Sequence, residues 1–128
     1  MRKFFTLLVM SALFDTSAMA QAVIKFEKTI HDFGQFDKNK IQTYEFVFVN
    51  SGDKPLVIHQ AYGSCGCTVP QFSKDPIEPG KKGVIKVSFN GKGQFNGRFK
   101  KSINIRSNAS NALTRIYIEG VVSEKPKS

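Results

Sequence analysis

The chain predicts an all-β fold, a two-layer sandwich of about seven short antiparallel strands, on three observations. Apolar and polar residues alternate with a period of two through most of the sequence after residue 20. Clusters of Gly, Pro, Asn and Asp cut that pattern into short runs, at the spacing of strands and turns in a sandwich. Helical periodicity is almost absent.

The first twenty residues read as an address rather than as fold. Arg2 and Lys3 precede an apolar run from Phe4 to Phe14, and Ala18-Met19-Ala20 is a small-x-small cleavage site. The expected mature chain begins at Gln21, and the expected location is the periplasm or the medium. The apolar run is shorter than the roughly 20 residues that cross a bilayer, so no membrane-spanning segment is expected.

Ala22 to Glu27 is the first expected strand. Thr29 to Phe36 reads as an irregular crossing, with Phe33 and Phe36 as core anchors and Gly34 allowing a bend. Ile41 to Val49 is the strongest strand. Tyr44, Phe46 and Phe48 share one face and Glu45, Val47 and Val49 the other, which suggests a central strand covered on both sides or nearly so. Asn50-Ser51-Gly52-Asp53-Lys54-Pro55 is a turn, and Leu56 to Tyr62 the next strand. Thr68 to Phe72 is a brief edge pairing around Pro70, and Ser73 to Gly83 is a loop that tucks Ile77 inward. Gly83 to Phe89 is a strand, and Asn90 to Gly97 reads as a long hairpin connection. Arg98 to Ser107 and Leu113 to Val122 are the last strands, joined through Asn108 to Ala112. Residues 21–123 form the expected sandwich and residues 124–128 a frayed tail.

The full chain has no tryptophan, twelve phenylalanines and a formal charge of +9. Loss of Arg2, Lys3 and Asp15 on cleavage lowers that charge by one. A basic exported surface attracts acidic proteins and anionic envelope polymers. No arginine run interleaved with exposed aromatics marks a nucleic-acid platform, so nucleic acid is not an expected partner. Oligomeric state is not legible.

The only cysteines, Cys65 and Cys67, lie in Ser64-Cys65-Gly66-Cys67-Thr68. On a flat strand their Cα atoms would be about 6.5–7 Å apart, whereas disulfides prefer about 5.5–6 Å. A disulfide here needs a bend, which Gly63 and Gly66 are expected to permit. Four readings stay open: a local disulfide that stiffens a loop, two packed thiols, a redox-active pair, and a copper or zinc thiolate site. A metal would need further ligands, and His59 on the preceding strand is the nearest candidate in sequence. The redox reading lacks a Cys-x-x-Cys motif. His31 beside Asp32 could join a cysteine in a thiol hydrolase, but neighbours on a strand face opposite ways. The bland reading gives Asp32 to a turn and Phe33 to the core. No residue set points to an enzyme with any force, and no cofactor is expected beyond the open copper or zinc option.

His31-Asp32-Phe33-Gly34, Asn50-Ser51-Gly52-Asp53 with Pro55-Leu56, Ser64-Cys65-Gly66-Cys67-Thr68, Ile77-Glu78-Pro79-Gly80, Ser107-Asn108 and Gly120 occur in that order. Together they resemble the bacterial family catalogued as domain of unknown function 1573. The resemblance implies an immunoglobulin-like β-sandwich, similar to modules of major sperm protein and certain ciliary proteins, exported from Gram-negative cells. It implies no catalytic residue. The family turn usually reads Asn-Thr-Gly where this chain has Asn50-Ser51-Gly52. The resulting expectation is an exported binding or scaffolding module that recognises a protein or an anionic envelope polymer. The alternative is a thiol protein that uses Cys65 and Cys67 for redox exchange or metal capture.

Overall fold

Alternating side chains commit each run to one buried face, and the two buried faces meet in a sandwich. The computed structural model describes residues 20–124. Its strands are β1 (Ile24–Phe26), β2 (Ile30–Asp37), β3 (Gln42–Asn50), β4 (Ile58–Gly63), β5 (Thr68–Gln71), β6 (Lys82–Phe89), β7 (Gly97–Ser107) and β8 (Leu113–Ser123). They form two four-stranded sheets, ordered β1-β3-β6-β5 and β2-β8-β7-β4. This is the ABED and GFC grouping of an immunoglobulin-like sandwich with β2 added beside the last strand. Among the described residues no helix is long and apolar enough to cross a membrane. The export segment at 1–20 and the tail at 124–128 lie outside the described residues, apart from Ala20 and Glu124.

The inward positions are filled as the alternation requires. Phe46 and Phe48 of β3, Ile85, Val87 and Phe89 of β6, Ile103 and Ile105 of β7, and Ile116, Ile118 and Val122 of β8 are each no more than 1% exposed. Aromatic rings tie the sheets together. Phe89 of one sheet stacks on Phe99 of the other at 4.2 Å, and Phe36 meets both edge-on at 5.9 Å. Such pairs contribute about 0.5–1.5 kcal/mol each beyond the area they bury.

The sandwich of about seven strands is borne out, with eight strands among the described residues. Two details differ from expectation, the first being that one pairing is parallel. The supposed irregular crossing is β2, which runs parallel to β8. Its register breaks between Asp32 and Gln35, where Gly34 takes φ +72°. The break spoils the sequence alternation while backbone pairing on both sides of it keeps the strand in the sheet. The Asn90 to Gly97 connection is no hairpin, since β6 and β7 belong to opposite sheets. As expected, β3 is central in its sheet, with Val47 and Val49 half-buried on its outer side.

One end of the sandwich is closed by asparagine side chains acting as extra backbone. Asn50 is fully buried. Its Nδ2 donates to the carbonyls of Lys54 (2.7 Å) and Ile77 (2.9 Å). Its Oδ1 accepts from the amides of Gly52 (3.0 Å) and Val23 (3.3 Å). Its own amide donates to the Lys81 carbonyl, and its carbonyl accepts from Gly80. Asn108 joins Val57 and Pro55 in the same manner, and Asn111 brackets both backbone groups of Ile24. Both ends of the Asn108 carboxamide are thereby occupied.

Replacing Asn50 with Ala removes four hydrogen bonds, leaving the Gly52 and Val23 amides and the Lys54 carbonyl without this partner, while the Ile77 carbonyl keeps the Leu56 amide. A loss of about 3 kcal/mol is expected in urea unfolding. Asn50→Asp, although isosteric, is expected to cost at least as much, because a carboxylate cannot donate to the Lys54 and Ile77 carbonyls. A near-neutral Asn50→Asp would show that the donor side of this network carries no weight.

Candidate functional site

The cysteine stretch is the corner where the chain leaves one sheet for the other. β4 lies at the edge of the second sheet and β5 at the edge of the first, and residues 64–67 connect them. Cys65 and Cys67 are disulfide-bonded, with Cα atoms 5.2 Å apart. That separation is shorter than a flat strand allows, so the bend expected from the spacing is present. The corner is held from both sides. The Ser64 amide donates to the Ser102 carbonyl, Thr68 to Cys65, and Asn90 to Cys67. Both sulfurs are half-buried, and the buried Thr68 hydroxyl lies 3.7 Å from the Cys65 sulfur and 3.6 Å from that of Cys67.

Of the two glycines expected to permit the bend, only Gly63 is required by the backbone. Gly66 does not take a left-handed φ, and a Cβ there would meet nothing within 4 Å. Gly63 is the constrained position, because a Cβ would lie 2.5 Å from the Thr68 carbonyl oxygen. The bend therefore depends on close backbone approach at Gly63.

The histidines are placed apart from the cysteines in role. His59 is exposed at the bulge between Ile58 and Gln60 on β4. His31 points inward from β2 and stacks on Tyr44 of the opposite sheet at 3.7 Å and 9° between planes, with Phe33 edge-on at 4.7 Å. Asp32 faces out and accepts from the Gly34 amide at 2.7 Å, so it serves the bulge and not His31. Among the described residues, no group of three or more His, Cys, Asp or Glu side chains is placed to hold a metal ion.

The outer face of the β2-β8-β7-β4 sheet has an organisation of its own. Ile103 and Ile105 point inward, so Arg98, Lys100, Ser102, Asn104 and Arg106 point out from β7. Antiparallel register places Arg115 beside Asn104, Tyr117 beside Ser102 and Glu119 beside Lys100. On the other flank β4 places Tyr62 beside Asn104 and Gln60 beside Arg106. Every arginine of the described residues, 98, 106 and 115, therefore stands on one sheet face with two tyrosines. None of the three is ion-paired among the described residues, where the two salt bridges are Lys38–Glu124 and Lys82–Glu27. Arg115 is oriented by a 2.8 Å bond from its Nε to Asn104 Oδ1, and Lys100 sits 4.9 Å over the Tyr117 ring. Asp32 and Glu119 are the acids at the β2 side of this face. The missed signal was the restriction of arginine to β7 and β8, which register turns into a patch.

Two outcomes follow from this geometry. Gly63→Ala is expected to destabilise the fold by about 2 kcal/mol or more in chemical denaturation, with Gly66→Ala within about 0.5 kcal/mol of wild type. Equal costs would remove the backbone-approach argument. Burial, with the nearby Lys28 charge, pushes the His31 pKa below its ordinary value of 6.5. The folded state thus favours the neutral ring, and that contribution is complete above pH 6.5 and lost as the pH falls below it. Thermal melts of His31→Phe should show a smaller drop than wild type between pH 7.5 and pH 5 (about neutral to mildly acidic).

Comparison with known proteins agrees with this architecture. No curated protein matches the chain. A protein of unknown function from Porphyromonas gingivalis W83 aligns at 20% identity and a TM-score of 0.71, over 84% of this chain and 51% of its own. This chain thus spans about half of that protein's length. The ASH / PapD-like domain 7 of human CEP192 aligns at 8% identity and a TM-score of 0.66, over 83% of this chain and 89% of its own. The CupB2 chaperone of Pseudomonas aeruginosa aligns at 14% identity and a TM-score of 0.56, over 77% of this chain and 55% of its own. At these identities the likeness is one of fold. The family model for Protein of unknown function (DUF1573) matches residues 24–122, and the chain belongs to that family.

Proposed function

We propose that this protein is an exported binding module of the cell envelope that holds an acidic protein partner on the outer face of the β2-β8-β7-β4 sheet. The observation that carries this reading is the gathering of Arg98, Arg106 and Arg115 with Tyr62 and Tyr117 on one face, without carboxylate partners for the arginines among the described residues. Arginine presents a planar fork of donors that matches a carboxylate in two-point contact. Tyrosine and arginine are also the side chains most enriched where interface energy concentrates. The sandwich fold, shared with a protein described as a chaperone, supports a protein partner over an anionic polymer. The segment at residues 1–20 supports an envelope location.

In this reading the disulfide corner is a structural clip beside the binding face. Its attachments support that role: the Ser64 amide donates to the Ser102 carbonyl, and the Ser102 amide to Ser64 Oγ at 3.3 Å. Ser102 is itself on the tyrosine-bearing face, so the clip steadies the surface without entering it.

The test is capture from a cell-envelope extract on the immobilised chain from Gln21. Arg106→Glu with Arg115→Glu is expected to lower capture at least tenfold, and rising salt to elute the partner. Captured material should be destroyed by protease, whereas protease-resistant, sugar-bearing material would make the ligand an anionic polymer. Cys65→Ser with Cys67→Ser should leave capture largely intact. Loss of capture in that variant, with the fold preserved, would transfer the function to the thiol pair.

A further inference from the structure

The end of the sandwich opposite the asparagine network has a different chemistry. Two turns project there. The β2–β3 turn is tightened by Lys40 donating from its amide to the Asp37 carbonyl and by Asn39 donating to Asp37 Oδ1 at 2.9 Å. The β6–β7 crossover is tightened by Gln94 donating to Gly91 and by Lys92 donating to Asn90 Oδ1 at 3.0 Å. Gly91 is buried against the first turn, and a Cβ on it would lie 3.3 Å from the Lys38 Cα. The two turns therefore form one surface.

That surface displays the most exposed large apolar side chains among the described residues. Phe95 is 96% exposed and Ile41 is 63% exposed. Gly93 and Gly97, with φ of +84° and +120°, shape the backbone on either side of Phe95. Lys40 and Lys92 flank the two apolar residues in sequence and are exposed. Lys38 also lies here, paired with Glu124 at 3.7 Å, and Asp37 is the other acid.

We infer that this end docks on an anionic phospholipid surface, with Phe95 and Ile41 entering the interfacial layer and Lys40 and Lys92 meeting the headgroups. The apolar residues sit on convex tips instead of lining a groove, so a protein partner would have to supply a matching pocket for each. A lipid layer deforms around convex tips. Apolar residues flanked by lysine, whose long stem keeps its charge in water while its base is buried, fit that interface. The cations beside the two tips are lysines, point charges suited to mobile headgroups, with Arg98 three residues beyond Phe95 at the start of β7. Docking by this end leaves the β2-β8-β7-β4 face upright from the membrane and open, and it is independent of what that face binds.

The absence of tryptophan makes the test direct. Phe95→Trp in the chain from Gln21 places the sole tryptophan at the tip. Its emission is expected to shift to the blue, and to be shielded from acrylamide, on adding vesicles of phosphatidylglycerol and phosphatidylethanolamine but not of phosphatidylcholine. In co-sedimentation, Phe95→Ala should weaken partitioning about tenfold, and Lys40→Glu with Lys92→Glu about a hundredfold. These positions are exposed, so circular dichroism should match wild type. The inference is overturned if wild type does not sediment with the anionic vesicles, or if the tryptophan emission is unchanged when it does. It is also overturned if sedimentation is lost in Arg106→Glu with Arg115→Glu but untouched by the tip variants. That last outcome would make lipid binding a property of the sheet face.

Discussion

The Asn50 carboxamide is the fixed point of this fold. It is buried, it uses both donors and accepts twice, and its bonds reach the residue before β1, the turn after β3 and the loop before β6. Three segments separated in sequence are thereby joined just where the β1–β3 and β3–β6 ladders end. The turn and loop motifs shared with the family, Asn50-Ser51-Gly52 and Ile77-Glu78-Pro79-Gly80, become one structural unit. The asparagine supplies the donors, and the loop supplies carbonyls at Ile77 and Lys81 and an amide at Gly80. A buried polar group tolerated in an apolar core has to be fully satisfied, and this one is.

With that end anchored, aromatic packing takes the place of the tryptophan and inter-sheet disulfide of antibody domains. The Phe36, Phe89 and Phe99 rings interlock across the sheets, and His31 on Tyr44 extends the contact towards the β2 edge. The sole disulfide, between Cys65 and Cys67, lies within one crossover instead of joining the sheets. It shapes the corner between β4 and β5, and through Ser64 and Ser102 that corner is tied to the strand carrying Arg98 and Arg106. The two ends and the open face thus divide the work. One end holds the chain together, one face gathers arginine and tyrosine, and the other end presents Phe95 and Ile41.

Particular residues show how far the sequence could be read. The period-two runs placed β3, β6, β7 and β8 to within a residue or two, because a strand with one buried face records its orientation in every second side chain. The spacing of Cys65 and Cys67 was enough to require a bend. β2 escaped because Gly34 interrupts its register, and the crossover at 90–96 was misjudged because a glycine-rich connection looks the same within a sheet or between sheets. Gly63 and Gly66 were both expected to permit the bend, and only Gly63 is constrained, since a close approach by Thr68 leaves no trace in the local sequence.

The sequence by itself determined the fold class, the central strands, the core faces and the location of the corner, since these follow from local alternation and turn chemistry. Tertiary structure alone decided which strands are neighbours. That choice depends on non-local backbone pairing, and it sets the parallel β2–β8 edge and places Arg106 and Arg115 with Tyr62 on one surface. It also placed Cys65 and Cys67 in no group of three or more candidate metal ligands among the described residues and turned His31 onto Tyr44. A side chain's period fixes its face, while its companions on that face are set by register between strands far apart in the chain.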